Sequence, residues 1–200
     1  VNVDVDNAGS GSDLILVPIV FDGGSGFDTL NVGGTPLTPV TNLTYTPGPG
    51  NDRGRLSYDG VMNIEFNNLE PVIDTVLATN LIVNGTNAAN AINYSQSGGG
   101  NGLVSVDNFE TIEFANKTNV TINARAGADT VRKTIAAGQL ELRTLGGNDS
   151  VFVDVDNAGS GSDLILVPIL FDGGSGFDTL NVGGTPLTPV TNLTYTPRPG

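Results

Sequence analysis

Two stretches of this 200-residue chain hold a short carboxylate inside a glycine-rich turn. One runs Gly23-Gly24-Ser25-Gly26-Phe27-Asp28-Thr29-Leu30-Asn31; the other, with the same residues, runs from Gly173 to Asn181 and carries Gly174, Gly176 and Asp178. Partial versions surround Asp13 (Gly9 to Ile15), Asp129 (Ala126 to Val131) and Asp149 (Gly146 to Val151). Gly85 to Ile92 is a decayed version with Asn90 at the Asp position. Carboxylates in such turns are the usual ligands of calcium, a hard cation that takes oxygen donors. Sixteen of the 21 acidic residues are Asp, the shorter of the two carboxylates. A metal-free explanation stands beside this one, because Asp accepts backbone N–H bonds in turns and glycine turns the chain.

Other chemistries are closed off. The chain has no Cys and no His, so it cannot build a disulfide framework, a Ser-His-Asp triad, a Cys-His pair or a typical zinc site. Its net charge of −13 repels phosphate backbones and anionic membranes, which argues against nucleic-acid partners. No run of about 18 apolar residues exists, so no membrane insertion is expected of this segment. The basic residues Arg125, Arg132, Lys133 and Arg143 lie near Asp129 and Asp149 in sequence. Charge balance beside acidic turns accounts for them, and no catalytic residue is assigned. Asp4 to Gly9 starts like an EF-hand loop, but Ala8 replaces a ligand and Ile15 stands where the bidentate Glu belongs.

The elements that must position these turns are short and numerous. Alternating segments of strand length include Val1–Asp6, Asp13–Phe21, Thr29–Val32, Leu43–Thr46, Arg55–Tyr58, Asn63–Phe66, Val72–Val83, Ala91–Ser95, Leu103–Val106, Thr111–Phe114, Asn119–Ala124, Gln139–Arg143 and Val151–Asp156. Only Val131–Gln139 carries a helical hint. Seven Asn-x-Ser/Thr sequons occur, at Asn42, Asn84, Asn93, Asn116, Asn119, Asn148 and Asn192, a mild excess that Asn and Thr in ladders and corners also explain.

The chain also repeats. Residues 1–50 return as 151–200 with three differences: Asn2 against Phe152, Val20 against Leu170 and Gly48 against Arg198. Residues 1–150 thus read as one full unit and 151–200 as the first third of the next, as in a tandem array. Inside the unit, Leu56 to Asp59 and Asn63 to Phe66 match Val104 to Asp107 and Thr111 to Phe114 at an offset of 48, and Leu43 to Thr46 resembles Ile92 to Ser95 at 49.

The pattern G-G-x-G-x-D-x-U-x at Gly23–Asn31 and Gly173–Asn181 resembles the calcium-binding β-roll repeats of the repeats-in-toxin family and the related haemolysin-type repeats of large bacterial surface proteins. That resemblance implies calcium held between stacked turns by the Asp carboxylates and by carbonyls that the glycines bring together, with Gly23, Gly24, Gly26, Asp28, Gly173, Gly174, Gly176, Asp178, Asp13, Asp163, Asp129 and Asp149 as the ligating positions. The family's nine-residue spacing is not kept: Asp129, Asp149, Asp163 and Asp178 stand 20, 14 and 15 apart. One such turn per larger coil fits better, which points to an all-β fold, a parallel β-helix or β-solenoid with three faces and coils of about 20 residues. Tandem Ig-like or cadherin-like β-sandwiches are the alternative. The expected role is a structural segment of a long extracellular, prokaryotic surface protein or filament (stalk, fibre or adhesin shaft), partnered end to end by copies of itself. A calcium-dependent secreted polysaccharide-processing or sugar-binding module on the same scaffold is the second possibility.

Overall fold

Alternation of apolar and polar residues makes strands because one face can be buried while the other stays wet. The computed structural model describes residues 1–7, 12–133, 139–156 and 164–196. Among them the chain is all-β, with seventeen strands and no helix. In chain order these are β1 (Asn2–Asp4), β2 (Ile19–Asp22), β3 (Leu30–Gly33), β4 (Val40–Pro47), β5 (Arg53–Tyr58), β6 (Met62–Asn67), β7 (Val72–Asp74), β8 (Ala78–Asn84) and β9 (Ala91–Gln96). They continue as β10 (Gly102–Val106), β11 (Ile112–Phe114), β12 (Lys117–Asn123), β13 (Thr130–Lys133), β14 (Gln139–Arg143), β15 (Ser150–Asp154), β16 (Ile169–Asp172) and β17 (Thr179–Gly183).

Two mixed sheets result. The nine-stranded sheet has the order β1-β3-β7-β11-β10-β9-β13-β15-β17, and the eight-stranded sheet β16-β14-β12-β8-β4-β5-β6-β2. The chain therefore passes from one sheet to the other after most strands, and strands that follow one another within a sheet pair in parallel. Two excursions break this rule. Strands β4–β6 and β9–β11 are antiparallel meanders, each staying in one sheet. Inward residues of both sheets form one core, with Leu30, Leu43, Tyr45, Leu56, Ile64, Val72, Leu81, Ile92, Val120, Leu140 and Val151 all fully buried. Each such side chain contributes roughly 1.5–3 kcal/mol on leaving water.

Several expectations change here. Strands gather in two sheets, not three: Thr75–Leu77 between β7 and β8, and the two residues between β11 and β12, are too short for a third strand, and the longer corners at 124–129, 144–149 and 173–178 pair only through the isolated bridges Ala126–Gly146 and Gly146–Ser175. The sequence spacing of parallel partners is not uniform. Parallel partners stand 20 apart for β12 and β14 (Asn119 beside Gln139), 29 apart for β15 and β17 (Ser150 beside Thr179), and 39 apart where a meander intervenes (Thr130 beside Ala91). The helical hint at Val131–Gln139 is overturned through Lys133, where β13 is locked between β9 and β15; residues 134–138 lie outside the described residues. Tertiary pairing outweighs the weak local preference. Val72–Val83 is two strands in different sheets, and of Asp13–Phe21 only the end is strand.

The offset of 48 has a structural meaning: it is the meander. Gly54 and Gly102 occupy the same place on β5 and β10, each beneath the phenyl ring of the next strand, Phe66 and Phe114. A Cβ on Gly54 would stand 2.6 Å from the Phe66 ring, so only glycine lets the aromatic lie flat over the neighbouring strand. Tyr45 and Tyr94 stack on those rings at 6.4 and 5.9 Å. Asp59 and Asp107, both at positive φ, turn each meander and bond back to its first strand: Asp59 accepts from Thr41 and Asn42 N–H, Asp107 from Ala91 N–H.

Asparagine ladders run across the sheet. Asn119 Nδ2 donates to Asn80 Oδ1 and Asn80 Nδ2 to Asn42 Oδ1, both at 2.9 Å, while Asn84 and Asn123 form a second row above Thr46. Three of the sequon asparagines, Asn42, Asn84 and Asn119, thus have their amides engaged in strand-to-strand bonds.

Candidate metal centre

All passages from the eight-stranded to the nine-stranded sheet lie along one edge, since the strands entering and leaving them run parallel. The glycine-bearing turns make five of the six passages: 23–29 between β2 and β3, 85–90 between β8 and β9, 124–129 between β12 and β13, 144–149 between β14 and β15, and 173–178 between β16 and β17; the sixth, 68–71 between β6 and β7, has no glycine. Why glycine is needed is visible in the stack. Gly147 has φ 130° and Gly176 φ 134°, and a Cβ on either would run into the carbonyl of the glycine in the neighbouring turn, Gly127 and Gly147 respectively.

The stacked corners bring three of the expected ligands into one column. Asp129 N–H donates to Asp149 Oδ1 at 2.8 Å, and Asp149 N–H donates to Asp178 Oδ1 at 3.1 Å. The column continues downward through the residue that replaces Asp: Asn90 N–H donates to Asp129 Oδ1 at 2.7 Å. Backbone bonds run alongside, from Thr130, Ser150 and Thr179 N–H to the carbonyls of Asn90, Asp129 and Asp149, each 2.8 Å. One carboxylate oxygen per corner is therefore spent on the fold. The other is left over: Asp129 Oδ2 and Asp149 Oδ2 are buried with no hydrogen-bond partner. Burial pushes the Asp129 carboxyl up to about 6, the Asn90 N–H opposes this, and Asp149 and Asp107 add to it.

Asp28 meets different company. Its corner stacks on Asn67–Glu70, which holds no Asp; Glu70 N–H donates to the Asp28 carbonyl at 2.8 Å and Gly23 N–H to Asn67 O at 3.0 Å. Gly24 and Gly26, like Gly174 and Gly176, adopt positive φ, and Gly173 lies against Asp178 as Gly23 lies against Asp28. Asp13 is exposed between β1 and β2, on a passage of the opposite sense and so on the opposite edge. Asp163 lies outside the described residues.

As a donor set the column is all oxygen and anionic, and two of its oxygens are buried and unpartnered, which fits a hard cation in kind. Among the described residues no three carboxylates gather round one point.

Sequence reasoning missed the opposite edge. There Lys117 Nζ donates to Asp74 Oδ1 at 2.6 Å, to Ala115 O at 2.8 Å and to Val76 O. Tyr58 Oη donates to the other Asp74 oxygen. The three groups tie β7, β12 and the β4–β6 meander together inside the protein. The signal was present but faint: Lys117 is one of two lysines, and it opens a strand next to a corner. Glu110 was missed too. Burial, with Glu70 nearby, pushes its carboxyl up to about 7. No family model, curated protein or solved structure matches this chain.

Proposed function

We propose that the chain is a segment of a β-solenoid rod, a stiff shaft in a long extracellular surface protein of a prokaryote, whose role is mechanical. One observation carries this reading. Strands of the second copy pair in register with strands of the first across residues 150 and 151: β15 and β16 lie directly on β13 and β14. The first copy's own pairing of β1 with β3 (Asn2 beside Asn31) recurs as β15 with β17 (Phe152 beside Asn181).

The row count agrees between the sheets. From β1 to its equivalent β15 the nine-stranded sheet adds seven rows, and from β2 to its equivalent β16 the eight-stranded sheet also adds seven. Equal rises on both faces let units follow one another without a kink. At about 4.8 Å per row, a 150-residue unit adds roughly 34 Å. Both meanders are needed for this: each adds three rows to its own sheet, one meander per sheet.

Calcium belongs to the same reading. Asp129 and Asp149, through their unpartnered oxygens, and Asp178 above them would hold it, and it would neutralise the charge that stacking forces together. Electron microscopy of a chain with two or three complete units tests the rod. Straight particles lengthening by roughly 34 Å per unit are expected; beads joined by hinges would overturn it.

A further inference from the structure

The chain contains one sequence in two surroundings, and comparing them shows what kind of segment fits the more open one. Val40–Thr46 forms strand β4 between β5 and β8; the identical residues 190–196 pair with nothing and form no strand. Leu43 and Tyr45 are fully buried, whereas Leu193 and Tyr195 are 93% and 85% exposed. Leu30 and Val32 on β3 are covered; Leu180 and Val182 on β17 are open. What covers the first copy is one continuous segment, Arg53–Asn84: β5 and β8 flank β4, β6 flanks β2, and β7 flanks β3.

We infer that the open face formed by β16, β17 and residues 190–196 is a docking site for a second copy of the segment Arg53–Asn84, bound by strand addition. The inference rests on the rod reading and adds the partner and its register. The occupant's Ile64 and Phe66 lie beside Ile169 and Phe171, and its Val72 lies beside Leu180. Its Tyr58 and Leu81 flank Leu193, and its Leu56 and Val83 flank Tyr195. Each pairing copies one already present 150 residues earlier. The occupant's Asp59 caps the N–H groups of Thr191 and Asn192, as Asp59 caps Thr41 and Asn42 here. An exposed row of strand N–H and C=O groups together with apolar side chains is the surface that strand addition uses.

A synthetic peptide of residues 51–84 added to the 200-residue protein tests this. The expected result is a one-to-one complex in which amides of 169–172 and 179–196 exchange at least about tenfold more slowly. Replacing Leu193→Asp and Tyr195→Asp together should abolish binding; both side chains are exposed, so the fold is untouched. A peptide carrying Leu56→Asp should fail equally. Absence of a complex at millimolar peptide, protection confined to other residues, or binding indifferent to these substitutions overturns the inference. So does protection of the same residues at high protein concentration without peptide, which would make the intact second chain the occupant. Straight rods in multi-unit micrographs with no peptide binding would sink this docking alone, whereas hinged beads would sink the rod.

Discussion

Lys117 and Asp74 form an ion pair at 2.6 Å with both side chains fully buried, joining β12 to the end of β7. Neither charge reaches water, so each depends on the other and on the groups around them.

Breaking that pair should be costly. Lys117→Met leaves the Asp74 carboxylate buried without its counter-charge, bonded only by neutral donors, Tyr58 Oη and the Val76 backbone, a loss of about 3–5 kcal/mol. Lys117→Met with Asp74→Leu should recover much of it, since no charge then remains buried. Tyr58→Phe, which removes the hydroxyl donor from the buried Asp74 carboxylate, should cost about 1–3 kcal/mol. Denaturant unfolding of the four chains checks the order.

Stability should fall as the medium becomes less acidic. Asp129 is raised from 3.8 to about 6 and Glu110 from 4.5 to about 7, each chiefly by burial. The folded chain thus holds these protons more tightly than the unfolded chain does. Their contribution is fully present below the unfolded values and is lost as the pH rises through the folded ones. Melting temperature measured from pH 4 to 8 without calcium should therefore decline, and Asp129→Asn with Glu110→Gln should flatten the decline.

Calcium should reverse the Asp129 part of that trend, because a bound cation favours the ionised carboxyl. At a hundredfold excess over Kd it adds about 2.7 kcal/mol. Asp149→Ala should remove most of the gain, since Asp149 lies between Asp129 and Asp178 in the column. Asp28→Ala should remove little. Calorimetric melting with calcium and with chelator distinguishes these outcomes; no response to either would leave the corners as metal-free turns.

Gly147→Ala should destabilise far more than Gly24→Ala. Both have positive φ, so each substitution carries about 1–2 kcal/mol of backbone strain. At Gly24 the added methyl meets nothing, while at Gly147 it meets the Gly127 carbonyl. Thermal unfolding of the two variants should show the difference.

The sequence alone carried the local and the periodic. Alternation marked most strands, because burying one face requires period two, and Gly-x-Asp marked corners, because only glycine accepts both the φ and the close carbonyl. The offset of 48 showed that two segments are alike, and the structure shows that they are antiparallel meanders in which Gly54 and Gly102 lie under Phe66 and Phe114.

What only the tertiary structure decided was which strand lies beside which. A strand has no hydrogen bonds of its own, so its identity depends on neighbours brought from tens of residues away. The same Val-Thr-Asn-Leu-Thr-Tyr-Thr is β4 at residue 40 and unpaired at residue 190. The aspartates show the same dependence. Asp28 and Asp178 have identical flanks, yet only Asp178 accepts a bond from another Asp, because the turn stacked against it ends in Asp149. Lys117 and Asp74 are 43 residues apart, and no spacing rule joins them; they meet because β7 runs into one corner and β12 leaves the neighbouring one on the same edge.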